Sequence, residues 1–582
     1  MKRFIPKSLL PILLVAVGLA ISQPAMQAQG KQDKKNNSPK VALSASQTAS
    51  EFGNVEGITA AQLKEFLTFL ASDELEGRDT PSRGLDTAAK FIAFNLSRWG
   101  FKPAGDNGTF FQHFSLRRGA LDKDQTKLEF GGQTYKAGDD FIPRLTQGAA
   151  AGAMVYVGHG LVVKAKNINA YAGVDVKDKI VVAMAGAFPK GVQPEDLKGK
   201  LGEDYDTVRN YARAHGAKGI LVVPYPTMTG RWEALARQAM GGGRPTIEGP
   251  QETSGLPEVI ASKKLVEAIF QGEQVDGAAV LKQAETNEFT SPFALKADKQ
   301  ISFTVKGSLE TLPTQNVVAI WEGSDETLKN EYIAVGAHYD HVGVRPASDE
   351  GKTDTWSRYK NFLDSAGLTG GADKLWNGAD DDGSGTTGVL GIAEALAKGG
   401  HPKRSLLLVW HAGEEKGLLG SQYVTDHPPV PIKQIITQLN IDMIGRTRPA
   451  GDSKKSNDNL TGVDEIYIIG SKLMSTDLGQ LSEAVNDGYL KLKFNYKYDD
   501  PNDRERFFYR SDHFNYARKG IPIIFYFDGV HEDYHQVGDQ VEKIDFDKME
   551  KVTRTVFATM WKLANAPTRP KVDKPLPAQY SN

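Results

Sequence analysis

The sequence predicts an α/β protein, in which a mixed, mostly parallel sheet is sandwiched by helices and a β-rich domain is inserted ahead of it. Three observations predict this. From Gln315 onward, β-type and helix-type segments alternate, the pattern of a largely parallel sheet with helices on both faces. Almost every strand of that part runs out into His, Asp or Glu. Between about Leu121 and Lys306 the chain instead breaks into short apolar runs such as AMVYVG and KIVVAMAG.

The elements follow in chain order. Lys2, Arg3 and Lys7 precede an apolar run from Leu9 to Ile21, and Ala25 and Ala28 offer small residues for cleavage, so residues 1–28 are expected to be an export signal. The run falls short of the ~20 apolar residues of a membrane span, and no later stretch supplies them. A bacterial periplasm or exterior is the expected location, with no stable membrane span after signal removal. The chain contains no cysteine, so neither a disulfide nor a lipid-anchored cysteine is possible. Residues 29–56 are polar and read as a linker. In 57–120, LKEFLTFLASDEL and TAAKFIAFNLSRWGF space apolar residues three and four apart, which predicts two amphipathic helices. At 582 residues, more than one domain is expected. The boundaries read as 121–306 for the insert, 307–568 for the main α/β domain and 569–582 for a tail. Residues 447–464 and the Pro/Lys-rich end after Asn565 are expected to be mobile. A formal net charge of −2 shows no basic excess, which argues against a nucleic-acid partner.

In an open α/β sheet, functional groups gather at the carboxyl ends of strands. EYIAVGA ends in His338 with Asp340 two residues on, and NGADDDGSG carries Asp380, Asp381 and Asp382. SLLLVWHAG leads to Glu414 and Glu415, QIITQLNI to Asp442, and IPIIFYFDG onward to His535. Adjacent carboxylates repel and need compensating positive charge. Two imidazoles with at least three carboxylates suit Zn²⁺ at two adjacent positions.

The order GAHYDH, NGADDDGSG, GEEKGLLGS, NIDMIGR, RSDHF, YHQVGD resembles the cocatalytic di-zinc aminopeptidase family, which includes bacterial leucyl aminopeptidase, glutamate carboxypeptidase and the transferrin receptor. The resemblance covers about Gln315 to Asn565 and implies a zinc exopeptidase fold with two Zn²⁺ per chain. It implies that His338, Asp381 and Asp442 hold one zinc and that Asp381, Glu415 and His535 hold the other. It also implies that Glu414 is the general base toward a water shared by the two ions, and that Asp340 orients His338. Tyr509 or Arg510 would stabilise the oxyanion, a choice left open here. Asp512 and His513 are expected to support the site, and His341 and His411 to be packing or hydrogen-bonded residues outside the ligand set. His113, His159, His215, His401, His427 and His531 receive no role.

In the insert, NYARAHGAKGILVV and DVKDKIV resemble the protease-associated domain. The interval between His338 and Asp381 is longer than in compact family members, and its segment from Arg345 to Lys374, with Trp356, Arg358, Tyr359 and Phe362, is read as a roof over the cleft or a packed elaboration. The expected function is removal of N-terminal residues from peptide substrates. Carboxypeptidase or dipeptidase action on the same scaffold is the alternative; glutaminyl cyclase activity and a non-catalytic binding role are further ones. The sequence leaves oligomeric state open.

Overall fold

The computed structural model describes residues 51–144, 148–197, 199–240, 245–248, 256–344, 374–500, 503–574 and 576. The expected signal, most of the linker, the segment from Arg345 up to Lys374 and half of the tail lie outside the described residues.

Two helices open the fold. Helix α1 (Ala60–Leu70) starts at a capping box in which Thr59 and Gln62 satisfy each other's backbone N–H groups, and it buries Leu63, Leu67 and Leu70. Helix α2 (Arg83–Arg98) is capped by the Ser82 hydroxyl. Folded structure begins earlier than the expected linker boundary: Phe52 and Val55 are buried within the main core. These apolar positions are too few to show a period against their polar surroundings.

The main sheet is built from β1 (Phe111–Leu121), β2 (Gly307–Trp321), β3 (Tyr332–His338), β4 (Ser405–His411), β5 (Ile435–Ile441), β6 (Glu465–Ile469), β7 (Lys493–Asn495) and β8 (Ile523–Phe527), in the order β1-β2-β4-β3-β5-β8-β6-β7. The inner strands β4, β3, β5 and β8 are mutually parallel, and antiparallel pairings flank them. In β4, Leu406, Leu408 and Trp410 enter one core while Leu407 and Val409 enter the other, so both faces of the sheet are covered. Helices α3 (Gly383–Gly399) and α4 (Phe546–Asn565) pack with α1 on the first face. The packing there is close: a Cβ at Gly391 would lie 2.8 Å from Leu63 Cδ2, so the leucine side chain would have to shift.

Between β1 and β2 the chain leaves to form a second sheet. Its centre is four mutually parallel strands, Gly148–Tyr156, Ile180–Ala183, Gly219–Val222 and Glu258–Ala261. Its two faces bury separate cores, with Ile180 and Val182 on one side and Val181 and Ala183 on the other. The excursion also returns an edge strand to the main sheet, where Thr246 and Ile247 pair with Arg117 and Leu116. Residues 447–464 are tied down rather than loose: the Arg448 N–H donates to Thr461 O at 2.8 Å, and the Thr461 N–H to Asp528 O at 2.8 Å. Among the described residues no helix is long and apolar enough to cross a membrane.

Candidate metal centre

The carboxyl ends of the four parallel strands meet at one place. His338 is the last residue of β3, Asp442 follows β5, Glu414 and Glu415 follow the end of β4, and His535 lies in the segment after β8. Asp381 stands just before α3. Two clusters of donor atoms result, one of His338, Asp381 and Asp442, the other of His341, Asp381, Glu415 and His535.

Asp381 faces both clusters with different oxygens. Its Oδ1 lies 3.3 Å from His338 Nε2, and its Oδ2 lies 3.1 Å from His535 Nε2 and 3.7 Å from His341 Nδ1. His338 Nε2 is also 3.6 Å from Asp442 Oδ1, and Glu415 places Oε2 3.0 Å from His535 Nε2 and Oε1 2.9 Å from His341 Nδ1. Donors that each sit ~2.0–2.2 Å from a shared ion are about 3–3.5 Å apart around it, so these spacings suit metal ligands. Asp381 Oδ2, Glu415 Oε1, His535 Nε2 and both His341 nitrogens are buried without a hydrogen-bond partner. Buried polar atoms are seldom left so, and a cation shared among them would satisfy them. The residues therefore fit zinc, which His338, Asp381 and Asp442 would hold on one side and Asp381, Glu415 and His535 on the other.

The neighbouring aspartates have other partners. Asp380 Oδ1 accepts the Gly445 N–H at 2.7 Å, and Asp380 Oδ2 lies 3.2 Å from His531 Nε2. Asp382 caps α3 through the Gly385 N–H at 2.8 Å and accepts the Met443 and His338 N–H groups, which ties the ends of two strands to the start of a helix. The backbone N–H groups of Asp380 and Asp381 both donate to Asp539, so Asp539 holds the loop that presents Asp381. Of the three consecutive aspartates, only Asp381 belongs to the two donor clusters.

His338 Nδ1 lies 3.1 Å from the Asp340 main-chain oxygen and 3.6 Å from its carboxylate. A hydrogen bond from Nδ1 to that carbonyl leaves Nε2 as the donor atom toward metal. The Asp340 carboxylate accepts the Glu414 N–H at 3.2 Å, so Asp340 positions both His338 and Glu414. The Glu414 side chain lines a cavity together with His338, Asp381 and Asp442. Burial pushes its carboxyl well above the usual range; His338 opposes this, and Glu415 and Asp442 add to it.

Arg510 lines the same cavity, whereas Tyr509 is not among its lining residues and packs on Phe514 at 4.9 Å between ring centroids. Tyr534 lines it instead and stacks on His535 at 4.0 Å. Tyr534 was not singled out in the sequence, although it adjoins His535 in YHQVGD. Met443, Phe507, Phe525, Phe527 and Val530 supply an apolar wall. Asp512 pairs with His411 at 3.2 Å, and His513 Nε2 lies 2.8 Å from Phe508 O, both outside the donor clusters. His341, expected to be a packing or hydrogen-bonded residue, places Nδ1 2.9 Å from Glu415 Oε1 and so stands in contact with the donor cluster. The chain turns back just beyond β3, where the His341 N–H donates to Arg78 O at 3.1 Å, a distant contact that strand-end reasoning does not reveal. His531, given no role, abuts Asp380.

Residues 316–560 match the sequence model of Peptidase family M28. A probable leucine aminopeptidase of Arthroderma benhamiae is 29% identical over 261 residues, covering 43% of this chain and 58% of the relative. A probable zinc metalloprotease of Pyrenophora tritici-repentis is 29% identical over 224 residues, covering 33% of this chain and 45% of the relative. The chain thus spans less than two thirds of the length of these curated relatives. Among solved structures, an aminopeptidase from Aneurinibacillus sp. strain AM-1 is 17% identical, with 90% of this chain and 96% of that chain covered and a TM-score of 0.49.

Proposed function

We propose that this chain, whose residues 316–560 form a Peptidase family M28 domain, is a two-zinc aminopeptidase that removes N-terminal residues from peptides. The observation that carries the reading is the pair of buried donor clusters sharing Asp381, with Glu414 in the adjoining cavity. When bound there, zinc supplies Lewis acidity, which polarises a scissile carbonyl and acidifies water. Glu414 takes the proton of the attacking water and returns it to the leaving amine, from its place on the wall of the cavity that His338, Asp381 and Asp442 also line. Tyr534 or Arg510, both on the cavity wall, donates a hydrogen bond to the oxygen that gains charge. The apolar wall of Met443, Phe507, Phe527 and Val530 favours an apolar first side chain. The name of the matched relative from Arthroderma benhamiae, a probable leucine aminopeptidase, supports the aminopeptidase direction.

One observation favours a second reading: the Arg510 guanidinium in the cavity could pair with a substrate carboxylate, as a carboxypeptidase requires. Hydrolysis of aminoacyl p-nitroanilides, beside N-acetylated controls and N-blocked peptides with a free carboxyl end, separates the two. Cleavage of free-amine substrates only, lost with chelator and regained with zinc, is expected. Cleavage of N-blocked peptides from the carboxyl end sinks the aminopeptidase reading. Export to the periplasm or exterior, and assignment of the second sheet to a protease-associated domain, belong to the same proposal. Cell fractionation that left the chain in the cytosol would remove the export part.

A further inference from the structure

We propose that His341 is itself a metal ligand through Nδ1, so that the Glu415 and His535 position has four protein donors and the His338 and Asp442 position has three. The inference rests on the two-zinc reading and divides the labour between the two ions.

Its ground is the state of the His341 ring. The side chain is completely buried, and neither ring nitrogen has a hydrogen-bond partner. Nδ1 nevertheless lies 2.9 Å from Glu415 Oε1, which is itself unpartnered, and 3.7 Å from Asp381 Oδ2. At 2.9 Å an N–H aimed at the oxygen would form a hydrogen bond, and the alignment fails that requirement. Two unpartnered donor atoms at this distance have the spacing of ligands around one ion. The donor atoms of His341, Asp381, Glu415 and His535 all lie within 4.8 Å of one another, and the His341 and His535 rings stand edge to face at 5.6 Å.

The placement is built by the fold. The Arg78 carbonyl accepts the His341 N–H, and the Arg78 guanidinium donates to Tyr339 O at 2.9 Å, Asn377 O at 2.7 Å, Gly378 O at 3.0 Å and Leu70 O. One buried cation thereby joins the segment bearing His341 to the segment that leads to Asp381. Gly378 makes room for the ring: its φ is +58°, and a Cβ there would lie 2.5 Å from His341 Cγ.

Four protein donors make the closed zinc set of a retained ion, whereas three leave a position open to water or substrate. The Glu415 and His535 position is then the tight one, and the His338 and Asp442 position is where exchange and substrate contact occur. Zinc K-edge X-ray absorption on the full chain loaded with two zinc ions tests this without a variant. Three imidazoles shared over two ions are expected; two ions with only two imidazoles would overturn the role of His341 and leave the two-zinc reading standing. A chain that takes up fewer than two zinc ions overturns both.

Competition with a chromogenic chelator gives the second measure, on H341A and H341Q checked for native circular dichroism. Loss of a partner outside the ligand set costs about 10–100-fold in metal affinity. The tighter zinc equivalent is expected to weaken by more than about 100-fold while the weaker one changes little. A smaller effect on the tighter equivalent counts against the proposal.

Discussion

The two sheets share a plan and differ in what they bury. Each centres on four mutually parallel strands with apolar cores on both faces. In the second sheet the strands Ile180–Ala183 and Gly219–Val222 run on into Met184 and Val223, both fully buried. Its buried acid Glu258 is matched by Arg144 at 3.0 Å and Arg209 at 2.6 Å. In the main sheet the equivalent ends run on into His338, Asp442 and Asp528, with Glu414 and Glu415 close behind. Two of the aspartates nearby are paired with a cation, since the Arg446 guanidinium lies 2.8 Å from Asp533 and 3.7 Å from Asp539, while Asp528 accepts the Arg446 main-chain N–H at 2.5 Å. Asp381 and Glu415 face chiefly imidazoles whose nitrogens are themselves unpartnered. Burying charge without a partner is costly, so the difference between the sheets marks where a cation must come from outside the chain.

The largest expected effect breaks that difference. Asp381→Ala removes both oxygens that link the two clusters, and we expect loss of most bound zinc with activity at background. Zinc content by atomic absorption and p-nitroanilide hydrolysis measure this; a variant that still binds two zinc ions would refute the bridge. Glu414→Gln should separate chemistry from binding. Its zinc content should match the parent, while kcat falls about 10²–10⁴-fold, the usual range for loss of an acid–base group. Full activity in that variant would show that another group moves the proton.

What was legible in the sequence follows the same division. Strand-end carboxylates and imidazoles stand in short local motifs, and the family resemblance those motifs carry singles out His338, Asp381, Glu415, Asp442 and His535, which the structure brings together. The alternation of strand and helix announced the main sheet for a similar reason, since each period is complete within one element. His341 is expected only to pack or hydrogen-bond outside the ligand set, and Tyr534 receives no mention, because the place of each depends on where a turn aims the side chain. The capture of His341 by Arg78 joins positions far apart in sequence, which no local pattern encodes. Asp539 is a further case, for it acts through the backbone N–H groups of Asp380 and Asp381 and touches no donor atom directly. The second sheet's apolar runs were visible, but its four parallel strands were not, because short buried strands look alike whichever way they pair.

A core change in the second sheet should sharpen the contrast from the other side. Leu221 is fully buried in that sheet's own core, away from the donor clusters. Leu221→Ala is expected to cost about 2–5 kcal/mol of stability through lost burial and the cavity left behind. Zinc content per folded chain should stay at the parental value. Denaturant unfolding beside metal analysis checks both, and a matching loss of zinc in the folded variant would show that the two sheets are coupled.

The smallest effect concerns the one histidine buried in that sheet's surroundings. His159 packs edge to face on Phe289 and accepts the Leu161 N–H at 3.1 Å through Nδ1, and burial pushes its pKa down to about 4. An unfolded chain takes up the proton near the ordinary value of about 6.5. Between these values the unfolded state binds more protons than the folded one, so stability rises with pH across the window and is lost as pH falls from about 6.5 toward about 4. Around pH 5.5 the difference attributable to this residue is about 1 kcal/mol relative to pH 7.5. Comparing the pH dependence of unfolding for the parent and His159→Gln isolates it: the variant's curve should be flatter by that amount between pH 5.5 and 7.5. Parallel curves would mean that the imidazole is free to take up its proton in the folded chain, and that the second sheet tolerates buried charge as the main sheet does.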